Sequence, residues 1–342
     1  MGISAFLFIL EYISLEQSVN GFHANLPNIY RLLNQNPKGE TWPEIEPGWA
    51  LKAKENFPEI KDFCRFEEGV AKGVVKTNKQ GSGPFRETSI GFAEGNFFEF
   101  FSFPLKLGNA KSLQKPNVVF ISESSAKKFF GLKNPVGQLL TLDNQFGNAT
   151  YTVEGVFADM LENSDIHYDR VFSLETLKNP ANLNDEGWAR LDNLDSQYIN
   201  TFFLLNKGVN PKVLEAKLTK LRKQLGKEND GTIFRLQALA NLHLGKSFND
   251  DLQTTGNLKY FYMLGGIAFL ILIIAWFNYI NLSTANSLKR ANEVGVRKVI
   301  GATQTNLISQ FLGESLLVNA LGFALSIVFV ILLQPIFNEL IG

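Results

Sequence analysis

The chain has 342 residues, enough for about two domains at roughly 100–200 residues each. Its 33 Lys+Arg balance 33 Asp+Glu, and a pI near 6.9 excludes a basic nucleic-acid-binding surface spread over the whole protein. With 45% hydrophobic and 19% charged residues, disorder and collagen-like repeats are excluded as well. Mean hydropathy is −0.02, typical of a soluble protein, but that average conceals strong segregation along the chain. The one cysteine, Cys64, permits neither an intrachain disulfide nor a thiolate metal cluster, and leaves the redox compartment open.

Residues 2–10 (GISAFLFIL) run into Glu11-Tyr12-Ile13, too few apolar positions to cross a bilayer alone. No basic n-region or small-residue cleavage site marks a signal peptide. Residues 1–13 therefore read as the end of a first membrane helix; the alternative is a short buried helix of a soluble domain. Residues 14–259 have a mixed texture. Residues 117–122 (NVVFIS), 139–142, 151–157 (YTVEGVF) and 198–205 (YINTFFLL) predict strands, and 124–130 predicts a helix stopped by Gly131. Residues 211–225 (PKVLEAKLTKLRKQL) predict an amphipathic helix, with Val213, Leu214, Leu218, Leu221 and Leu225 on its apolar side and a solvated basic face opposite. Strands interleaved with helices predict an α+β domain of two lobes.

Residues 260–280 (YFYMLGGIAFLILIIAWFNYI) carry no charge and, as a helix, span about 31 Å, close to a hydrocarbon core of about 30 Å. Tyr260, Tyr262, Trp276 and Tyr279 lie toward the two ends, where interfacial aromatics belong. The alternative for this run is a buried core helix. Residues 311–333 form a second such run, with Glu314 in its first turn and Asn319 available to face another helix. Between the runs, residues 283–310 hold four basic residues against one acid, a net charge of +3. Residues 11–259 are almost neutral, with 29 basic and 30 acidic residues. The positive-inside rule then makes the short connector cytoplasmic and the long segment extracytoplasmic. Division by this reading is 1–13 helix end, 14–259 extracytoplasmic α+β domain inserted between transmembrane helices, 260–282 helix, 283–310 cytoplasmic coupling segment, 311–335 helix, and 336–342 an extracytoplasmic connector.

No catalytic, cofactor-binding or metal-binding constellation emerges, so the chain does not read as an enzyme. His23, His167 and His243 lack metal-ligand spacing, and Asp165-x-His167-x-Asp169 reads as a turn with an Asp cap rather than a ligand cluster. Ala240–Ser247 (ANLHLGKS) imitates a phosphate loop, but its Asn-Leu-His-Leu interior lacks the glycines whose amides wrap phosphate.

Residues 278–308 (NYINLSTANSLKRANEVGVRKVIGATQTNLI) resemble the cytoplasmic connector of MacB/FtsX-type ABC transporter permeases. Asn281, Leu282, Ser283, Ala285, Arg290, Glu293, Val294, Gly295, Val296, Arg297, Lys298, Gly301 and Ala302 match that family's pattern, while Asn286 and Ser287 depart from it. Residues 97–105 (FFEFFSFPL), 122–131 (SESSAKKFFG), 134–137 (NPVG) and Leu242-His243-Leu244 are similar to segments of the MacB-like periplasmic core domain, in wording closest to permeases of the Bacteroidetes type. Phe22-His23 and Ile29-Tyr30-Arg31 resemble the exit from the first membrane helix. The resemblance implies an inner-membrane permease subunit with four helices per unit, a fourth following residue 342, so the chain resembles a fragment of that unit. It implies no cofactor. The implied partners are a cytoplasmic ABC ATPase, a second permease copy or homologous half, the lipid membrane, and a periplasmic adaptor or substrate protein; nucleic acid is not among them. ATPase coupling falls on Arg290, Glu293, Val294, Gly295, Val296, Arg297, Lys298 and Gly301. Here a short helix around 290–300 offers Val294, Val299 and Ile300 to an apolar cleft, and Arg297 and Lys298 to acidic rims. The rival readings are a solvated positive-inside loop, a membrane-anchored sensor or scaffold without ATP coupling, and a membrane-tethered enzyme.

The topology predicts a labelling pattern. In a Cys64→Ser background, Ser287→Cys should be shielded from an impermeant thiol reagent in intact spheroplasts, and Asn78→Cys should react. The reverse pattern would reject the orientation.

Overall fold

In the computed structural model, the apolar runs between Val19 and Gly256 gather into one mixed β-sheet, and this segment forms a unit of its own. The second unit comprises Met1–Ser18 with Asn257–Gly342. The structure describes residues 2–67, 69–77, 85–87, 89–225, 231–245, 248, 256–301 and 303–341; Asn78, Lys246, Ser247 and Ala302, named above, lie outside these.

In chain order, helix α1 (Gly2–Ser18) is followed by β1 (Ile29–Gln35), β2 (Thr41–Trp42), β3 (Glu44–Ile45), α2 (Gly48–Asn56) and β4 (Ile60–Glu67). Next come β5 (Gly73–Thr77), β6 (Phe85–Glu87), β7 (Ile90–Ala93), the one-turn α3 (Phe97–Phe100), β8 (Leu105–Gly108), β9 (Val118–Ser122) and α4 (Glu123–Phe130). Then β10 (Leu139–Asn144), β11 (Gly147–Phe157), β12 (Arg170–Ser173), β13 (Ile199–Leu205), α5 (Pro211–Gln224) and β14 (Ile233–Ala238) complete the first unit. Helices α6 (Leu258–Val299) and α7 (Gln304–Ile341) end the chain.

The sheet order is β14-β1-β13-β4-β7-β12-β9-β11-β10-β5-β6. Its first four strands are antiparallel neighbours. With α2 and α5 they make a β-α-β-β-α-β lobe, and the strands from β5 to β12 form a second lobe inserted between β4 and β13. The α+β class and the two lobes expected from the sequence are both present.

β13 shows why a near-continuous apolar run was needed. All seven of its residues are buried, because both faces of the strand are covered. Phe203 and Leu205 meet the α2/α5 side, where Leu214, Leu218 and Leu221 pack with Trp49 and Phe234. Phe202 and Leu204 face a phenylalanine cluster on the other side. Two expectations for α5 need correction. Val213 and Leu225 are 52% and 42% exposed, since Val213 sits about 100° around the helix from Leu214 and Leu225 lies past its last turn. The basic face is not wholly solvated either: Arg222 is buried, 3.4 Å from Glu46, with its guanidinium over the Trp49 and Phe234 rings. A buried cation of this kind is stable only because a carboxylate and π-faces surround it.

The phenylalanine cluster is built by α3. Phe97 and Phe101 are one turn apart and meet Phe66 of β4 edge-on at 5.9 and 5.7 Å, while Phe101 also meets Phe202 of β13 at 5.4 Å. Phe98 points the other way, to Phe120 of β9 and Phe157 of β11 at 5.1 and 5.3 Å. This single turn therefore wedges the two lobes together, each aromatic pair adding about 0.5–1.5 kcal/mol beyond area burial. Gly155 opens the space: a Cβ there would stand 2.3 Å from the Phe120 ring. Arg65 adds a polar joint, bonded to Glu94 and to the carbonyls of Pro47 and Leu191 at 2.8 Å each.

In the second unit α1 packs against both long helices. Ser4 donates to the Ser326 carbonyl at 3.3 Å, Phe8 meets Phe337 at 4.6 Å, and a Cβ on Gly2 would be 3.3 Å from Ala275. Small residues allow this close approach. α6 and α7 are long and apolar enough to cross a membrane, and only 6% of each apolar window is buried. Phe269, Trp276, Leu316 and Leu332 are each more than half exposed, which is the pattern of lipid-facing helices and not of a soluble core.

Three details differ from the sequence reading. The segment 290–300 is no separate short helix, because α6 runs unbroken from Leu258 to Val299, with no Pro or Gly pair to end it at the membrane boundary. α7 continues through Pro335 to Ile341; proline removes one backbone bond without ending a long membrane helix. Asn319 is exposed rather than buried against another helix of this chain.

Expressed as residues 19–256, the first unit should unfold in urea as one cooperative transition. Phe101→Ala should lower its stability by about 3–5 kcal/mol, and Leu132→Ala, at a fully exposed position, by less than about 0.5 kcal/mol. Two resolved transitions in the parent would show that α3 does not bind the lobes into one unit.

Candidate coupling site

The residues singled out for ATPase coupling occupy the last turns of α6 and the turn into α7. Arg290 lies within α6. Val296, Val299 and Ile300, spaced i, i+3 and i+4, share one face and are 61%, 88% and 80% exposed. Val294 is half-buried instead and faces a groove between α6 and α7 that also takes in Ala291 and Phe311. The apolar knob of the tip is thus made with Val296, where the sequence reading offered Val294. A Cβ on Gly295 would meet nothing within 4 Å, so the helix surface there is open to close approach.

Gly301 ends α6. Its φ of +96° suits glycine, and its amide donates to the Lys298 carbonyl at 3.1 Å, satisfying one of the last helical carbonyls. Arg297 staples the turn: one guanidinium nitrogen meets Glu293 one turn back, and another donates to Gln310 of α7 at 2.6 Å. Arg297 and Glu293 are 40% and 48% exposed, so the pair adds little stability. What it contributes is orientation. Gln310 carried no signal in the sequence, since its role depends on a turn that only the fold supplies.

A second cluster lies where the first unit receives the chain from α1 and returns it toward α6. Asn20, two residues past α1, has φ +62°. Its amide donates to the Asn163 carbonyl at 2.8 Å, and its side chain exchanges two hydrogen bonds with Asp165, at 2.7 and 3.0 Å. The second Asp165 oxygen accepts from His243 Nδ1 at 2.7 Å. Phe22 and Leu26 from the entering segment, and Leu239 and Leu242 from the leaving one, pack on the phenylalanine cluster. Asp165 is buried and bonded to Asn20 and His243 while His167 is exposed, so Asp165-x-His167-x-Asp169 does not gather into a ligand cluster. The described part of the imitation phosphate loop is a short 3-10 turn, Leu239–Asn241, followed by the buried Leu242. Among the described residues no group of three His, Cys, Asp or Glu is placed to hold a metal ion.

Comparison with known proteins agrees with this architecture. A family profile described as the MacB-like periplasmic core domain matches residues 1–221, and one described as the FtsX-like permease C-terminal matches residues 265–341. The chain belongs to the MacB/FtsX-type permease family. It is an inner-membrane protein with a periplasmic domain, and the first unit is that domain. The macrolide export ATP-binding/permease protein MacB of Aggregatibacter actinomycetemcomitans is 27% identical over 213 residues, covering 61% of this chain and 29% of that protein. The MacB of Mannheimia succiniciproducens is 24% identical over 263 residues, covering 75% and 37% respectively. The chain thus spans about a third of the length of these curated relatives. A crystal structure of a domain of a protein described as a permease, from Porphyromonas gingivalis, shares the fold, with a TM-score of 0.52, 20% identity, and coverage of 63% of this chain and 92% of that one.

His23 is the family-like residue with the most unusual surroundings. It is 3% exposed among Phe22, Phe101 and Phe103, and its Nδ1 donates to the Phe101 carbonyl. Burial lowers its pKa, opposed by the Phe101 bond and the nearby Asp165 charge. Below the ordinary imidazole value of about 6.5 the unfolded chain then binds more protons than the folded one. The His23 contribution is fully present above that value and is lost as pH falls toward the folded value. Thermal melts between pH 7.5 and 5 should show a steeper acid loss for the parent than for His23→Gln. Parallel curves would refute the assignment.

Proposed function

We propose that this chain is the permease subunit of an ABC transport system, passing ATP-driven motion from a separate cytoplasmic ATPase to the periplasmic domain. The observation that carries the reading is the tip of α6: an apolar knob of Val296, Val299 and Ile300, flanked by Arg297 and Lys298 and adjoining the open surface at Gly295. A helix end of this shape fits an apolar cleft with acidic rims. Coupling by Arg290, Glu293, Val294, Gly295, Val296, Arg297, Lys298 and Gly301 follows from this fit, with Val294 acting on the groove side and Glu293 by orienting Arg297.

The names of the MacB relatives, ATP-binding/permease proteins of macrolide export, support export as the transport direction. Lipoprotein or peptide handling uses the same logic of a moving periplasmic domain. A second permease copy completes a symmetric arrangement around two ATPases. The chain supplies no catalytic residues in this scheme, because hydrolysis belongs to the partner.

Gly295→Trp and Arg297→Glu test the coupling. Neither change lies within the apolar spans, so membrane levels should stay normal. Co-purification of an ABC ATPase from membranes should be lost for Gly295→Trp and weakened by about ten- to hundredfold for Arg297→Glu, which reverses a charge at the contact. Wild-type association and ATPase stimulation in both variants would return the connector to a solvated loop and favour the sensor or scaffold reading.

A further inference from the structure

β1 and β14, the first and last strands of the periplasmic domain, are antiparallel partners over six residues, from Tyr30↔Ala238 to Gln35↔Ile233. The segment arriving from α1 feeds β1, and the segment leaving β14 leads toward α6. Both ends of the domain therefore belong to one two-stranded ribbon at the edge of the sheet. At the end of that ribbon marked by Tyr30 and Ala238 stand Asn20 on the arriving segment and His243 on the leaving one. Asp165 bonds to both. It comes from the other lobe, in the loop between β11 and β12, 145 residues after Asn20 and 78 before His243.

We propose that Asp165, gripping Asn20 and His243, is a positioning clasp that makes the two ends of the periplasmic domain move as one and carries their motion into the inserted lobe. This rests on the permease reading above. The chemistry favours a clasp over a simple patch of packing. Apolar contact at this point, through Phe22, Leu26, Leu239 and Leu242, is non-directional and tolerates sliding. The Asp165 carboxylate is fully buried, and such a group is strongly disfavoured unless its oxygens are bonded. Bonds at 2.7 Å to Asn20 on one oxygen and to His243 on the other fix the register of three segments at once. Pulling either end away costs the buried carboxylate one of its short bonds, so motion of one segment is resisted by the other two. Asn20, Asp165 and His243 are thus positioning residues that act through the sheet edge and touch no transported molecule.

The test is hydrogen exchange on the full-length permease in nanodiscs with its co-purified ATPase, with and without a nonhydrolysable ATP analogue. Variants are His243→Ala, His243→Gln and Asp165→Asn. The wild type should show a nucleotide-dependent change of exchange at 118–173 in the inserted lobe. In His243→Ala and Asp165→Asn this response should fall about tenfold while ATPase association is retained, and the Asn20 amide should lose protection even when only His243 is changed. His243→Gln, which keeps a donor, should restore part of the response. His243 is 13% exposed, so its variants remain informative if Asp165→Asn fails to accumulate. A normal nucleotide response in His243→Ala, with loosening confined to 239–245, overturns the clasp and leaves the permease reading standing. No nucleotide response in the wild type overturns that reading and the clasp with it.

Discussion

The domain depends on a single turn of helix that has phenylalanine on both sides. α3 has only four residues, too short to be stable by itself, and it exists because Phe97, Phe98, Phe100 and Phe101 each find an aromatic or aliphatic partner. Two of them grip β4 and β13, one grips β9 and β11, and the lobes are held from within. Parts of both ends of the domain also rest on this wedge. The His23 ring donates to the Phe101 carbonyl, Ala24 donates to Ser102, and Leu242 of the leaving segment is buried in the same cluster.

Much of this was legible in the sequence, for reasons specific to each segment. The strands at 117–122 and 151–157 and the helix at 211–225 were readable because each is amphipathic or wholly apolar over its full length, and α4 ends where Gly131 lies. β1, β4 and β14 were harder. IYRLLNQ, IKDFCRFE and IFRLQA each contain charged or amide side chains that the fold buries or pairs, such as Arg31 with Gln237 and Arg65 with Glu94, so their apolar pattern is broken. The membrane segments stood out by length and charge asymmetry, yet the unbroken passage of α6 into its charged end did not, because composition changes at residue 283 while helix propensity does not.

The residues proposed for coupling were singled out by resemblance to a motif, and their different exposures came only with the three-dimensional arrangement. Val294 and Val296 are equivalent in chemistry and differ by about 200° around the helix axis, which is enough to send one into the α6–α7 groove and the other to the surface. Asp165 and His243 were each noticed in the sequence, but their meeting with Asn20 was not. The three residues are far apart in the chain, none has a charge pattern around it, and a buried carboxylate is invisible until its partners are placed.

The length of α6 has a mechanical consequence. At 1.5 Å per residue its 42 residues make a rod of about 63 Å, roughly twice the thickness of a hydrocarbon core. An intact ladder of backbone hydrogen bonds resists stretching and bending, so the rod is a lever and not a spring. Pivoted at one end, a tilt of about 5° sweeps the other through roughly 5 Å, comparable to one helical turn. A small rotation of either end of the rod would arrive at the other as a displacement large enough to repack a side chain. A flexible joint at the membrane boundary would absorb the same rotation and deliver none of it.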